Sequence, residues 1–207
     1  QLLQNNPDLQ RIAANPAHQV QVLYTRIDRD ADNQPHFTTY AYGEDNSLYY
    51  YPASTVKMPA AFLALERLHQ LGLNKEDAML NGASHPPQTP AIGDTSAASG
   101  LPSVAHYIKK IFLVSDNDAY NRLYEFLGQA YFNQALWDKG YDRVRIIHRL
   151  SAPAYDMVTH RYTNPVTFLR DDALRYHQGE VYSRAYPELG LEEQVRGRGY
   201  IDGAGEL

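Results

Sequence analysis

The sequence contains no cysteine, no long apolar run and no excess of positive charge. Without cysteine there is no disulfide, no thiolate nucleophile and no zinc–thiolate site. No apolar run approaches the roughly 20 residues that a membrane-spanning helix needs. The formal charge of −5 argues against nucleic acid as the main partner. What remains is an ordinary globular composition, and its 207 residues suffice for one large domain or two small ones.

One stretch carries a serine and a lysine at a spacing that suits catalysis. Ser54 and Lys57 are three positions apart, and residues three apart on a helix share a face. A serine hydroxyl needs a neighbouring base to act as a nucleophile at neutral pH, and lysine becomes that base when burial lowers its pKa. The alternative is that Ser54 caps a helix and Lys57 is a solvated first-turn residue. Pro59 favours catalysis, because an interior proline is unfavourable in a helix and broken local rules tend to mark functional sites.

The segment before Ser54 reads as a short helix followed by a hairpin. A helix is expected within 2–14, and alternating apolar residues predict strands over 20–27 and 37–42. The aspartates between the strands resemble a calcium loop. The sixth position of that loop is Asn33 and the twelfth is Thr39, where a calcium loop has glycine and glutamate. A hairpin tip is therefore predicted.

After Ser54 the patterns are mainly helical. An apolar stripe predicts a helix that ends at Gly72, and a long connection over 73–103 follows. Four more helices are predicted over 103–112, 119–127, 129–137 and from Asn164 to Leu174, with Asn164 as N-cap and Pro165 as first helical residue. Only the two strands of the hairpin are recognisable.

A second motif, Ser115-Asp116-Asn117, lies between two predicted helices and begins 61 residues after Ser54. Together with Ser54-x-x-Lys57 it resembles the penicillin-binding protein and serine β-lactamase superfamily, whose signature is a Ser-x-x-Lys helix, a Ser-Asp-Asn loop and a Lys-Thr-Gly strand. Class A β-lactamases are the nearest resemblance, which extends over about 20–176. It implies an α+β fold with a helical domain beside an antiparallel sheet.

The resemblance also implies roles for the residues of the two motifs. Ser54 would be the acylated nucleophile, and Lys57 its base or part of the proton path. Ser115 would pass the proton to the leaving nitrogen, and Asn117 would bind a substrate amide. Asp116 would orient the loop, and the backbone N–H of Ser54 would supply half of the oxyanion hole.

The sequence departs from the family pattern in two ways. Class A members use a glutamate in a loop to activate the deacylating water, and the matching stretch here, 145–153, contains no acid. His148 and Asp156 are the alternatives for that role. The Lys-Thr-Gly motif does not occur, so we expect the chain to be an N-terminal portion of a longer protein whose remaining strands follow Leu207.

These features predict a serine acyl-enzyme hydrolase that acts on a β-lactam or a peptidoglycan-like amide. The alternatives are a penicillin-binding or sensor-like domain without efficient deacylation, and a fragment that is inert without its missing part. We expect three segments, an N-terminal helix and hairpin (1–50), a mainly helical catalytic domain (51–176) and a poorly patterned tail (177–207). We expect no cofactor, no metal and no nucleic-acid partner, and the resemblance implies a bacterial protein in the periplasm or at the cell surface, exported with its signal peptide removed.

Overall fold

The computed structural model describes residues 5–186. These residues divide into two compact units, the first ending at Tyr50 and the second beginning at Tyr51. They contain five α-helices and antiparallel sheets, so the predicted α+β fold class is confirmed. The division into 1–50, 51–176 and 177–207 stays a prediction, and most of its last segment lies outside the described residues.

In the part of the first unit that the structure describes, the main elements are a short helix and a hairpin. Helix α1, Pro7–Ala13, begins at Asn6, whose side-chain oxygen accepts two backbone N–H bonds of the first turn. Strand β1, Val22–Arg29, pairs antiparallel with β2, Pro35–Tyr42, over the whole length of both strands. At the tip, Asp30 accepts two backbone N–H bonds from the residues that reverse the chain. Both predicted strands and the predicted turn are therefore present.

Four helices supply most of the core of the second unit. They are α2 (Lys57–Leu71), α3 (Val104–Val114), α4 (Asn117–Leu127) and α5 (Gln129–Asp138). Helix α4 is central, because eight of its eleven residues are buried. Within residues 5–186 no helix is both long enough and apolar enough to cross a membrane.

The apolar stripe of α2 divides into a buried and an exposed part. Its small residues and two of its leucines are buried against the other helices, whereas Phe62 and Leu65 are exposed. The helix ends at Gly72, as predicted, where φ is 66° and the N–H bonds back to the last turn.

The second unit also holds five strands that the sequence patterns did not indicate. They are β3 (Ala78–Asn81), β4 (Tyr162–Thr163), β5 (Val166–Arg170), β6 (Ala173–Gln178) and β7 (Val181–Tyr182). Strands β3, β5 and β6 form one antiparallel sheet in that order, and β4 pairs with β7. Strand β3 lies inside the predicted connection 73–103, so the prediction of only two strands was wrong.

The prediction of a helix that begins at Asn164 and Pro165 was also wrong, because this segment leads into the hairpin of β5 and β6. Burial along β5 alternates, with Val166 and Phe168 buried and their neighbours partly exposed, which is the period of a strand. The two residues between the strands are Asp171 and Asp172, with φ of 50° and 60°. Positive φ at both positions is typical of the two-residue turns that match the twist of a hairpin.

Candidate active site

Ser54 lies at the entrance to α2 rather than inside it. A 3₁₀ turn, Ala53–Val56, leads directly into the helix, and the backbone carbonyl of Pro52 accepts bonds from the N–H and the hydroxyl of Thr55. Ala53 has φ of 45°, an unfavourable region for a residue with a Cβ, and such strain often accompanies functional sites. Ser54 is exposed, whereas Lys57 is only 3% exposed. The turn therefore presents the hydroxyl at the surface, with the amine buried beneath it.

This arrangement excludes the simpler interpretation of the two residues. The N-cap of α2 is Val56, which makes no side-chain capping bond, so Ser54 does not cap the helix. Lys57 is buried and not a solvated first-turn residue. Pro59, however, is the third residue of α2, where the missing N–H would have no helical partner in any case. The proline is thus accommodated in the first turn, and it does not mark an interior break.

The amine of Lys57 brings the two sequence motifs together. Its Nζ lies 3.1 Å from Ser54 Oγ, 2.9 Å from Ser115 Oγ and 2.7 Å from Asn117 Oδ1. It also donates to the backbone carbonyl of Ser115. Ser54, Ser115 and Asn117 therefore all contact the side-chain nitrogen of Lys57.

The partners of Lys57 suit an amine that exchanges a proton with a hydroxyl. The carbonyl of Ser115 and Asn117 Oδ1 can only accept, so they occupy two N–H groups of the lysine. The remaining direction faces the two serine hydroxyls. A protonated lysine donates there, and a neutral lysine offers its lone pair.

The surroundings of Lys57 favour the neutral form. Burial lowers the pKa of the amine, and the negative charge of Asp116 partly opposes that shift. Across residues 5–186 no carboxylate forms an ion pair with Lys57. The lysine thus lacks the direct counter-ion that would hold a proton on it.

The Ser-Asp-Asn tripeptide forms the joint between α3 and α4. Ser115 ends α3 in a left-handed conformation, with φ of 54° and ψ of 42°. Asp116 is the N-cap of α4 and accepts a 2.8 Å bond from the N–H of Ala119. Asn117 is the first residue of α4. The tight joint turns the hydroxyl of Ser115 and the amide of Asn117 towards Lys57.

Ser151 is a further site residue that the sequence did not reveal. Its Oγ accepts a 2.7 Å bond from Asn117 Nδ2, and its own φ is 49°. Asn121 of α4 fixes the preceding residue, Leu150, by bonding to both its N–H and its carbonyl. Loop 145–153 therefore reaches the site with a hydroxyl and not with an acid.

Neither of the two alternatives for the deacylating group is among the recorded partners of Lys57 within residues 5–186. His148 stacks on Tyr51 with ring centroids 6.1 Å apart, and its Nδ1 is 2.7 Å from the carbonyl of Arg149. Asp156 is exposed and accepts N–H bonds from Val158 and Thr159 in its own turn. Among the described residues neither side chain bonds to any member of the serine–lysine cluster.

Loop 145–153 is anchored by a buried ionic cluster beneath it. Glu125 of α4 is 1% exposed and accepts from Arg149 Nε at 3.0 Å and from Arg122 Nη1 at 3.2 Å. Asn81 of β3 donates a third bond to it at 3.0 Å. Burial raises the pKa of the Glu125 carboxyl, and the two guanidiniums counteract this by favouring the ionised form. Asn164, predicted to be a helix cap, instead accepts a bond from Arg149 at 3.2 Å.

His160 makes the stability of this region depend on pH. Its Nδ1 accepts the backbone N–H of Arg149 at 3.2 Å. Burial, followed by the charge of Arg149, lowers the pKa of His160 from 6.5 to about 4. Above pH 6.5 both the folded and the unfolded chain hold a neutral imidazole. Between these pH values only the unfolded chain is protonated, so stability falls as the pH falls.

We expect the free energy of unfolding to drop by about 3 kcal/mol between neutral pH and pH 4 because of His160 alone. Urea denaturation at a series of pH values measures this loss. His160→Asn, whose Oδ1 can still accept from the Arg149 N–H, should flatten the profile, while the exposed His69→Asn should not. An unchanged slope in His160→Asn would remove the imidazole as its source.

No cluster of three or more histidine, aspartate or glutamate residues that could bind a metal ion occurs in the part of the chain that the structure describes.

Comparison with known proteins agrees with the geometry. The model of a family described as the beta-lactamase enzyme family matches residues 6–178. This range includes the 3₁₀ turn of Ser54, the joint at Ser115 and loop 145–153. No curated protein and no solved structure matches the chain.

Proposed function

Because the chain belongs to the beta-lactamase enzyme family, we propose that Ser54 is the nucleophile of an acyl-transfer reaction on a β-lactam or a peptidoglycan-like amide. Membership makes the chain a β-lactamase-like serine hydrolase at the level of the family. The observation that carries the proposal is the 3.1 Å contact between Ser54 Oγ and the buried amine of Lys57.

The acylation step follows from the contacts of Lys57. Neutral Lys57 takes the proton of Ser54 while Oγ attacks the carbonyl carbon of the substrate, and the backbone N–H of Ser54 stabilises the developing oxyanion. When the carbon–nitrogen bond breaks, Ser115 Oγ gives its proton to the leaving nitrogen. Lys57, 2.9 Å away, then returns a proton to Ser115. The lysine ends neutral, and the substrate acyl group is an ester on Ser54.

Within residues 5–186 one N–H of Asn117 has no recorded partner, and this scheme assigns it to the substrate. Its Oδ1 accepts from Lys57, and one N–H of its amide donates to Ser151. A carboxamide has two N–H groups, so the second is available for the carbonyl oxygen of a substrate side-chain amide. This is the role that the resemblance implied for Asn117.

Slow release of the acyl group is the second part of the proposal. Hydrolysis of the ester requires a base for the attacking water. Apart from Lys57 itself, the groups in contact with Lys57 and Asn117 among the described residues are hydroxyls and carbonyls, and none is a carboxylate. This supports a penicillin-binding or sensor-like activity, in which the acyl-enzyme persists, over rapid turnover. Since such substrates lie outside the cytoplasm, we also propose that the protein acts in the periplasm or at the cell surface.

A fluorescent penicillin tests the proposal directly. We expect a stable covalent label whose mass maps to the peptide containing Ser54, with little turnover of a chromogenic cephalosporin. Ser54→Ala should abolish the label, because it removes the only atom that forms the ester. The exposed Ser99→Ala serves as the matched control. Rapid turnover would favour a true lactamase, and a label retained in Ser54→Ala would refute the assignment of the nucleophile.

A further inference from the structure

A second charged cluster contacts Asp116, the middle residue of the Ser-Asp-Asn joint. Lys110 of α3 extends its Nζ to within 3.2 Å of Asp94 Oδ2 and 3.5 Å of Asp116 Oδ2. The backbone carbonyl of Lys110 also accepts the N–H of Asp116 at 3.4 Å. Lys110 is therefore attached to Asp116 through both its side chain and its main chain.

Asp94 holds Lys110 from the other side. Its carboxylate is 14% exposed and accepts from the N–H of Ser96 at 2.9 Å and from its hydroxyl at 2.5 Å. The ring of His106, also on α3, lies 3.3 Å from Asp94 Oδ2, the same oxygen that Lys110 contacts. The hydrogen bond from Ser96 is the main reason that the pKa of Asp94 is lowered to about 2. Asp94 is thus a fixed negative charge.

Lys110 stays positively charged between these carboxylates. Burial lowers the pKa of its amine, but the hydrogen bond to Asp94 and the charges of Asp116 and Asp94 outweigh burial and raise it. The row of charges is negative at Asp94, positive at Lys110 and negative at Asp116. The charge of Asp116 also acts on the amine of Lys57 of α2, where it raises the pKa against the effect of burial.

We propose that Lys110, held in place by Asp94, is a positioning residue of the acyl-transfer site, which fixes Asp116 at the start of α4 and cancels its charge beside Lys57. The inference rests on the proposed role of Lys57 as the base. Among the described residues, Asp116 forms an ion pair with Lys110 from α3 and acts electrostatically on Lys57 from α2. Asp94 contacts Lys110, and the ring of His106 contacts Asp94. Asp118, the other acid at the start of α4, is paired with Arg122 at 3.1 Å.

The cluster matters because Asp116 has a structural role at the start of α4. Its carboxylate caps α4, and the same helix carries Asn117 into the site. A bare carboxylate at this position would hold a proton on Lys57, which a base must lose before it can act. Lys110 therefore allows the charged cap and the neutral base to coexist in one site.

The test is the protonation of Lys57 in variants that change the row of charges. In Lys110→Met the charge of Asp116 is unopposed, so we expect the pKa of Lys57 to rise by about one unit. The acid limb of the acylation rate should move to higher pH by the same amount, with about tenfold slower labelling below it. Lys110→Arg keeps the charge and should restore the wild-type profile. The matched control is Lys109→Met, which removes an exposed lysine from the same helix.

Two further variants separate charge from structure. Asp94→Asn leaves Lys110 with one carboxylate, so the pKa of Lys57 should fall. Lys110→Met combined with Asp116→Asn, in which asparagine still suits an N-cap, should return the acid limb to the wild-type position or below it. A general loss of packing would not reverse sign in this way. If Lys110→Met does not fold, the pKa of Lys57 in Asp94→Asn is the deciding measurement. A pKa that is unchanged or raised in that variant overturns the inference.

The measurement on Lys57 does not depend on acylation. The chain has five lysines, and NMR of ¹³C-labelled lysine side chains follows each through a pH titration of the free protein. If wild-type protein is not labelled by penicillin, the proposed function fails while the titration still decides the role of Lys110. Equal Lys57 midpoints in Lys110→Met and Lys109→Met would overturn the inference even if labelling is efficient.

Discussion

Lys57→Met is expected to slow acylation of Ser54 by about 10²–10⁴-fold, the usual contribution of general-base catalysis. Methionine fills the buried space of the lysine stem but offers no lone pair to the hydroxyl, which lies 3.1 Å from Nζ in the wild type. The rate of labelling by a fluorescent penicillin, followed by gel or stopped-flow fluorescence, gives the magnitude.

Lys57→Arg distinguishes a base from a mere positive charge. Arginine keeps the charge but does not lose its proton in proteins, so it should be as slow as methionine. If Lys57→Arg retained the wild-type rate, Lys57 would act by electrostatic stabilisation alone. The exposed Lys75→Met, outside α2, should leave labelling unaltered.

Glu125→Ala is expected to lower the free energy of unfolding by about 3–5 kcal/mol, because it leaves the buried guanidinium of Arg149 without its counter-ion and Arg122 with only the exposed Asp118. The carboxylate lies 3.0 Å from Arg149 and 3.2 Å from Arg122, with side chains 1% and 9% exposed. Denaturant unfolding followed by circular dichroism measures the loss.

An exposed ion pair supplies the comparison for Glu125. Glu66 bonds to Lys139 at 2.9 Å, and both side chains are well exposed. Glu66→Ala should therefore change stability by only about 0–1 kcal/mol. Similar losses in the two variants would mean that the cluster beneath loop 145–153 contributes no more than a surface contact does.

The sequence predicted the helices of the second unit better than its strands. Helices α2 to α5 carry their own signals, an apolar face and a terminating glycine or N-cap, and their bounds lie close to those expected. Strand β3 has four residues and pairs with β5 across more than eighty positions of the chain. Its stability comes from that distant partner, and no local pattern encodes it.

The error at Asn164 has a similar origin. Asparagine followed by proline is typical of a helix start. The run of apolar residues after it is so short that it fits the helical period and the strand period equally well. The side-chain amide of Asn164 instead accepts a bond from Arg149 and donates to the backbone carbonyls of Gly82 and Thr89. All three partners lie outside the segment that was predicted to be helical. The local signal was outweighed by tertiary contacts.

The residues of the site also differ in whether a local sequence pattern indicates them. Ser54 and Lys57 are neighbours on one turn, and Ser115 to Asn117 is a recognisable tripeptide, so the sequence alone indicated these five residues. Ser151, Asn121 and Lys110 are common residue types, without a distinctive spacing. Their positions depend on how loop 145–153 and α3 pack against α4, and only the folded chain shows that.

The left-handed backbone of Ser115 has a consequence for which amino acids that position can hold. Threonine offers the same hydroxyl for proton transfer, but its branched Cβ is strongly disfavoured at a φ of 54°. Glycine adopts the conformation easily and has no hydroxyl. Of the two aliphatic hydroxyl side chains, serine is the one that suits both the backbone conformation at the helix junction and the proton transfer. The first residue of the tripeptide is therefore determined by stereochemistry as much as by reactivity.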